Sequence, residues 1–192
     1  MVYISGKWYA APIEINGTIL LPIFLIIFII IAIRQFKSQK RNWKRILLSG
    51  LFLIYLWVLL DVTIFPIPLF LDNSLPAKLK FGKQLFINLR FNLLENYLPL
   101  QLIGNIVLLA PLSFFAAVFK DKYSRLWHNL WLMLLSSLLI ESVQLILSFF
   151  YLGNRIFDVN DLLLNTLGAL IGFVFFKLIN LFFKQQVEDV RL

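Results

Sequence analysis

Five long apolar stretches make up most of the 192-residue chain and leave few folds open to it. A helix that crosses the hydrocarbon core of a membrane needs about 20 mostly apolar residues. Cutting the sequence at its charged residues gives spans at about 16–33, 46–66, 97–119, 126–151 and 161–183. Backbone groups in lipid must hydrogen-bond within a helix or a closed barrel, and the sequence has no run of short alternating segments typical of a barrel. The sequence therefore predicts an all-α, polytopic membrane bundle of five transmembrane helices.

The composition agrees with a membrane protein and excludes several functional classes. Hydrophobic residues make up 60% of the chain and charged residues 15%, whereas soluble domains average about 25% charged residues. The chain has no cysteine, which excludes disulfides, cysteine-ligated metals and thiol nucleophiles, and only one histidine. We expect a single membrane domain over residues 16–183, with short tails over 1–15 and 184–192.

The distribution of lysine and arginine predicts the orientation of the bundle. Of the 18 basic residues, 12 fall on one side of the five spans and six on the other, and half of the larger group lies between Arg34 and Arg45. Because basic residues concentrate on the cytoplasmic side, we predict an outside N-terminus and a cytoplasmic C-terminus. The first span is expected to be a retained helix, since its basic cluster follows the apolar stretch. The basic surface suits anionic lipids, and no nucleic-acid partner is expected.

The connection over about residues 67–95 is long and lies on the predicted outer side. It mixes basic and apolar residues, as in the segment Lys78-Leu-Lys-Phe-Gly-Lys83. Two interpretations stay open: a segment that lies on the outer leaflet, which we favour, and an ordinary loop with some buried apolar residues.

Polar residues inside the spans point to function, because a charge at mid-bilayer costs about 2.5–3.5 kcal/mol on insertion scales. On the fourth span they form one helical face: Ser137, Glu141, Gln144 and Ser148. On the fifth span a second face follows the same spacing: Asp158, Asp161, Asn165, Gly168 and Gly172. The predicted topology places both faces at the level of Asp61, Gln101 and Asn105. These residues predict a polar site open to the outer leaflet.

Structural explanations exist for several of these residues. Gly168 and Gly172 form a small-x-x-x-small pattern, which most often indicates close helix packing. Asp158 and Asp161 are also suited to the N-terminus of a helix, where a carboxylate caps free backbone amides. Glu141 could pair with Arg155, which would lower the cost of burying both charges.

Three sequence elements have the spacing of a known family. They are Asn105-x5-Pro111-Leu112, Glu141-x-x-Gln144 and Arg155-x-x-Asp158-x-x-Asp161-x-x-x-Asn165-x-x-Gly168-x-x-x-Gly172. Together they resemble the VanZ-like family of bacterial membrane proteins over about residues 47–180. The chain differs from the usual family pattern at Ser113, where glycine is common, and in Asn88-Leu89-Arg90-Phe91, which lacks a proline.

The resemblance implies a multi-pass protein of the bacterial cytoplasmic membrane, linked through the family's founding member to low-level resistance to teicoplanin and related lipoglycopeptides. It does not imply a settled reaction. The family's motif residues, carried over to this chain, are Asn105, Glu141, Gln144, Arg155, Asp158, Asp161 and Asn165.

The leading hypothesis is a site that binds or modifies an amphipathic envelope molecule: a lipid, a lipid-linked cell-wall precursor or a lipoglycopeptide. The candidate catalytic residues, which would also hold Mg²⁺ if a metal is used, are Glu141, Asp158 and Asp161. The candidate substrate-binding residues are Arg155, Gln144, Asn105, Asn165, Asp61 and Gln101. The alternatives are a proton- or ion-coupled transporter, in which Glu141 titrates, and a non-catalytic partner of a cell-wall protein. The sequence leaves the oligomeric state open.

Overall fold

The fold was analysed in a computed structural model of the chain. The structure describes residues 1–4, 6–38, 42–70, 78, 81–82, 87–91 and 99–191. Most of the predicted interfacial segment within 67–95 lies outside the described residues, so that prediction stays open.

Five long helices form the body of the protein. Their bounds are Leu21–Lys37 (α1), Trp43–Ile64 (α2), Pro99–Phe119 (α3), Leu126–Phe149 (α4) and Val159–Phe182 (α5). Each is long and apolar enough to cross a membrane, with the 3₁₀ turn Gly17–Leu20 extending α1 at its start. The predicted all-α bundle with five membrane-spanning helices is therefore confirmed.

The helix ends differ from the predicted spans by a few residues, and capping explains two of the differences. The α2 helix begins at Trp43 because the Asn42 side chain accepts hydrogen bonds from the backbone amides of Lys44 and Arg45. The α4 helix ends at Phe149, two residues before the predicted end. Beyond it, the buried Tyr151 adopts a left-handed backbone conformation with φ of 62° and turns the chain back.

The packing of α3 against α5 is the most extensive helix contact among the described residues. A Cβ atom added at Gly168 would overlap the carbonyl oxygen of Ile106, and one added at Gly172 would overlap that of Ala110. The two glycines thus let the helix backbones touch, which confirms the packing interpretation of the small-x-x-x-small pattern. By contrast, α1 has no buried residue.

A sixth, short helix closes the end of the bundle that carries the α3–α4 connection. This helix, Lys184–Val190 (α6), buries Val187 and Val190 against a cluster that includes Phe173 and Phe176. Arg191, which follows it, forms a 2.9 Å ion pair with Asp121. The segment expected to be a tail over 184–192 is therefore packed against the bundle as far as it is described.

Short strands join the loops at the opposite end, which carries the α4–α5 connection. The strands are Val2–Ile4 (β1), Lys7–Tyr9 (β2), Ile13–Ile15 (β3), Ile67–Leu69 (β4), Ile87–Asn88 (β5) and Phe157–Asp158 (β6). The β1–β2 and β3–β4 pairs are antiparallel, and β5 pairs with β6 in parallel. The last pair matters for the site because its register sets Asn88 opposite Asp158.

Candidate functional site

A polar cavity of about 550 Å³ opens at the α4–α5 end of the bundle. Eight of the nine sequence-predicted site residues line it: Gln101, Asn105, Glu141, Gln144, Arg155, Asp158, Asp161 and Asn165. Apolar residues of α2, α3 and α4 complete the lining, among them Val62, Leu108 and Ile140. We refer to it as the α4–α5 cavity. Side chains of four helices therefore converge on one space that is lined by both polar and apolar residues.

Glu141 lies on the buried face of α4, where its side chain is 2% exposed. Its Oε2 accepts a hydrogen bond from the backbone amide of Asp158 at 3.2 Å, which ties α4 to the start of α5. The ion pair between Glu141 and Arg155, considered from the sequence as a structural explanation, is not formed. Instead, the Arg155 Nη2 donates to the carbonyl oxygen of Val62 at 2.9 Å, so the guanidinium turns toward α2.

The backbone of Arg155 is fixed by a side chain of α4. The Ser148 hydroxyl donates to the Arg155 carbonyl at 2.8 Å and accepts from the Arg155 amide at 3.0 Å. Ser148 is 1% exposed, so these two hydrogen bonds between α4 and the loop are shielded from solvent. The last member of the α4 stripe therefore positions the basic residue of the cavity.

Asp158 acts as the N-cap of α5. Its Oδ1 accepts from the backbone amide of Asn160 at 2.8 Å and also from the side-chain Nδ2 of Asn160 at 2.8 Å. Its Oδ2 accepts from the Asn88 Nδ2 at 3.0 Å. Both carboxylate oxygens are thus engaged in holding the loop onto the helix, which favours the capping interpretation of this residue.

Three amide side chains join the helices around the cavity. Asn105 of α3 donates to Asp161 of α5 through a short hydrogen bond. Gln144 of α4 donates to the Thr63 carbonyl of α2 at 2.8 Å, and Asn165 of α5 donates to the Ser137 hydroxyl of α4 at 2.9 Å. The Asn165 side chain is 1% exposed, and its Oδ1 has no hydrogen-bond partner among the described residues.

A comparison with models of protein families matches residues 52–180 to the VanZ/LLP1 family. The chain belongs to the VanZ/LLP1 family. The matched residues include every described residue that lines the α4–α5 cavity, whereas α1 and the strands β1, β2 and β3 precede them. Comparisons with curated proteins and with solved structures found no match. The family and the five apolar helices make this a VanZ-like multi-pass membrane protein, linked to resistance at the level of the family.

Asp61 is the one predicted site residue of the VanZ-like protein that does not line the cavity. Its Oδ1 accepts from the backbone amide of Gly17 at 3.1 Å, and the Trp57 indole donates to the Gly17 carbonyl at 2.9 Å. Asp61 therefore holds the start of α1 against α2. The sequence predicted how far along α2 Asp61 lies, but it did not predict that its side chain points toward Gly17.

The three acids do not form a metal site in this arrangement. No group of three or more His, Cys, Asp or Glu side chains among the described residues is placed to hold a metal ion. Both oxygens of Asp158 already accept hydrogen bonds from the protein, as described above. The donor set thus does not fit the Mg²⁺ considered from the sequence, and we derive no step through a metal.

Several residues of the site were not predicted. Asn88, Thr63 and Asn154 line the cavity, and the fully buried Asn160 joins Asp158 to the carbonyl oxygen of Arg90 at 2.9 Å. Asn88 lies in the segment that resembles the family pattern, and this was a signal for it. The backbone carbonyl of Thr63 accepts from Gln144, and a contact made by a backbone group cannot be predicted from residue types.

Proposed function

We propose that this VanZ-like protein binds the polar head group of an amphipathic envelope molecule in the α4–α5 cavity, and that this binding underlies resistance to teicoplanin-type lipoglycopeptides. The main support for this proposal is that eight predicted site residues line one cavity in a protein whose five long helices are apolar enough to cross a membrane. A cavity with polar residues beside apolar residues such as Leu108 and Ile140 suits a molecule with a polar head and an apolar tail. With the orientation predicted from basic residues, the cavity belongs to the outer half of the bacterial cytoplasmic membrane.

Different residues would serve different parts of the head group. Arg155 has five N–H donors, of which one is described as bonded to Val62, and it would hold a phosphate or carboxylate. Glu141 is the acid best suited to proton transfer, because Asp158 is committed to capping α5. Asp161 would contact the ligand from the opposite side, with Asn105 orienting its carboxylate.

Antibiotic susceptibility tests the proposal directly. The wild-type protein and two variants, Glu141→Gln and Arg155→Gln, would be produced in a teicoplanin-sensitive bacterium at matched membrane abundance. We expect the wild type to raise the inhibitory concentration of teicoplanin and both variants to fall to the value of the empty vector. The exposed Glu188 pairs only with Lys184 in the described structure, so Glu188→Gln is the matched control and should retain resistance.

Full resistance in both cavity variants, at wild-type abundance, would contradict the proposal. Loss of resistance in the Glu188→Gln control would show that the assay responds to a change of charge anywhere on the protein.

A further inference from the structure

Three amide side chains of the α4–α5 cavity turn the same chemical group toward the protein. Asn105, Gln144 and Asn165 each use their NH₂ group in a hydrogen bond to another helix. Since an amide has its donors on nitrogen and its acceptor on oxygen, this arrangement leaves the carbonyl oxygens to meet whatever enters the cavity.

The direction of two of these amides follows from their partners. The Thr63 carbonyl and the Asp161 carboxylate act as acceptors, so Gln144 and Asn105 must present nitrogen to them. The Ser137 hydroxyl can donate or accept, so it alone leaves the Asn165 amide free to rotate. Gln144 and Asn105 therefore have their oxygens available whichever way Asn165 is turned.

In the orientation that the structure gives to its amide, Asn165 supplies a further sign that a ligand donor is missing. Its Oδ1 is buried and has no partner among the described residues, although it belongs to a side chain that lines the cavity. A buried polar atom without a hydrogen bond costs about 1–3 kcal/mol, so such atoms are uncommon in folded proteins. A donor on a bound molecule would remove this cost.

The basic side chain of the cavity and its most buried acid differ in exposure. Glu141 and Asn165 are almost fully buried at 2% and 1% exposure, whereas Arg155 is exposed at the opening. Arg155 is also the one basic side chain among the described residues that line the cavity. The opening thus suits an anion, and the buried part, lined by amide oxygens and the carboxyl group of Glu141, suits a group that only donates hydrogen bonds.

We propose that the cavity selects a zwitterionic head group whose phosphate contacts Arg155 and whose primary ammonium lies among the acceptors of Glu141, Gln144 and Asn165. This inference rests on the proposed function and assigns its ligand class. A primary ammonium has three N–H donors and no acceptor, whereas a hydroxyl group would bring an acceptor into a region of acceptors. Phosphoethanolamine lipids carry this head group.

The test uses lipids with the same acyl chains and phosphate whose head groups offer different numbers of N–H donors. Binding of dioleoyl phosphatidylethanolamine, its N-methyl and N,N-dimethyl derivatives and phosphatidylcholine to the full chain would be measured by native mass spectrometry. We expect affinity to fall with each methyl group, by about tenfold or more in total, because each methylation removes one N–H donor and leaves an acceptor unpaired. Dioleoyl phosphatidylglycerol, which offers hydroxyl groups and no ammonium, should bind as weakly as phosphatidylcholine.

Two variants link the selectivity to the buried acceptors. Asn165→Leu should reduce the preference for phosphatidylethanolamine over phosphatidylcholine to less than about threefold, since one acceptor is lost. Asn165→Asp keeps an acceptor at the same position and should retain the preference, which separates loss of selectivity from loss of folding.

Three outcomes distinguish the inference from the proposed function. A graded loss of affinity with methylation that Asn165→Leu reduces, as predicted above, supports both. If all the lipids bind equally and Arg155→Gln weakens the binding of each by the same factor, the ammonium assignment is wrong but the head-group site remains. The same conclusion follows if phosphatidylglycerol binds more tightly than phosphatidylethanolamine. Lipid binding that no cavity variant changes overturns both.

Discussion

Asp158 connects three parts of the site through one side chain and its backbone amide. Its carboxylate caps α5 and binds Asn88, and its amide donates to Glu141. The residue is therefore better described as a positioning residue than as an acid. Its role follows from its place at the junction of the α4–α5 loop with α5, where the first backbone amides of the helix need acceptors.

Substitution of Asp158 should therefore affect stability as well as function. We expect Asp158→Ala to lower the free energy of unfolding by about 1–2 kcal/mol, because the N-cap and the bond to Asn88 are both lost. Asp158→Asn retains a capping oxygen and should lose less than half as much. The thermal midpoint in detergent measures both, and equal midpoints for Asp158→Ala and wild type would show that the cap is not needed.

Ser113 shows how a departure from the family pattern is accommodated at the residue scale. Its hydroxyl donates to the Asn129 Oδ1 at 2.7 Å, and the Asn129 Nδ2 donates to the carbonyl oxygens of Ser113 and Tyr123, each at 3.0 Å. Both side chains are fully buried. The serine therefore has a partner on α4, and the α3–α4 contact is closed by hydrogen bonds at this point.

At the scale of the helices, the α3–α5 contact sets the depth of the cavity. Asn165 is the last residue of α5 that lines the cavity, and Gly168 lies one turn further along, where the two backbones touch. The cavity therefore ends where close packing begins. This arrangement gives no support to the transporter hypothesis, which needs a polar path through the remaining half of the bundle.

A pair of glycine substitutions tests this contact, because only one of them is expected to destabilise the protein. Gly168→Ala places a Cβ against the Ile106 carbonyl and should destabilise the protein by about 1–3 kcal/mol or more. A Cβ at Gly104 of α3 meets nothing within 4 Å, so Gly104→Ala should be neutral or stabilise by up to about 1 kcal/mol through helix propensity. Thermal midpoints in detergent compare them, and similar midpoints for the two variants would contradict the close contact.

The sequence predicted the helices better than the elements that join them. Hydropathy alone identified five spans, because an apolar stretch of about 20 residues in lipid forms a membrane-spanning helix. The strand pair β5–β6 and the helix α6 were not predicted, since two-residue strands and a seven-residue helix depend on contacts with distant parts of the chain. The spacing of Val187 and Val190 was the one available sign of α6.

The site was predicted from spacing and depth, and its single misplacement has a geometric cause. Helical periodicity put Glu141, Gln144, Asp161 and Asn165 on inward faces, and all four line the cavity. Asp61 has the right depth but points toward Gly17. An isolated polar residue on a helix has no periodic neighbours that fix its direction, whereas a stripe of four does.

At the scale of the whole molecule, the polar site and the closely packed part of the bundle lie at opposite ends. The α4–α5 cavity gathers three acids and Arg155, whereas the other end is closed by α6 and a cluster of phenylalanines around Phe173. With the predicted orientation and the proposed function, we expect the head-group site to open to the outer leaflet and the closely packed end to face the cytoplasm. Molecules delivered within that leaflet would reach the cavity without crossing the membrane.

The most direct test of the head-group site is an experimental structure of the full chain in nanodiscs made from bacterial lipid extract. The account predicts density for one amphipathic molecule, with its head group between Arg155 and Asn165 and its tail directed along Leu108 and Ile140 toward lipid. A cavity closed by an Arg155–Glu141 ion pair, with lipid density confined to the outer surface of the helices, would contradict it.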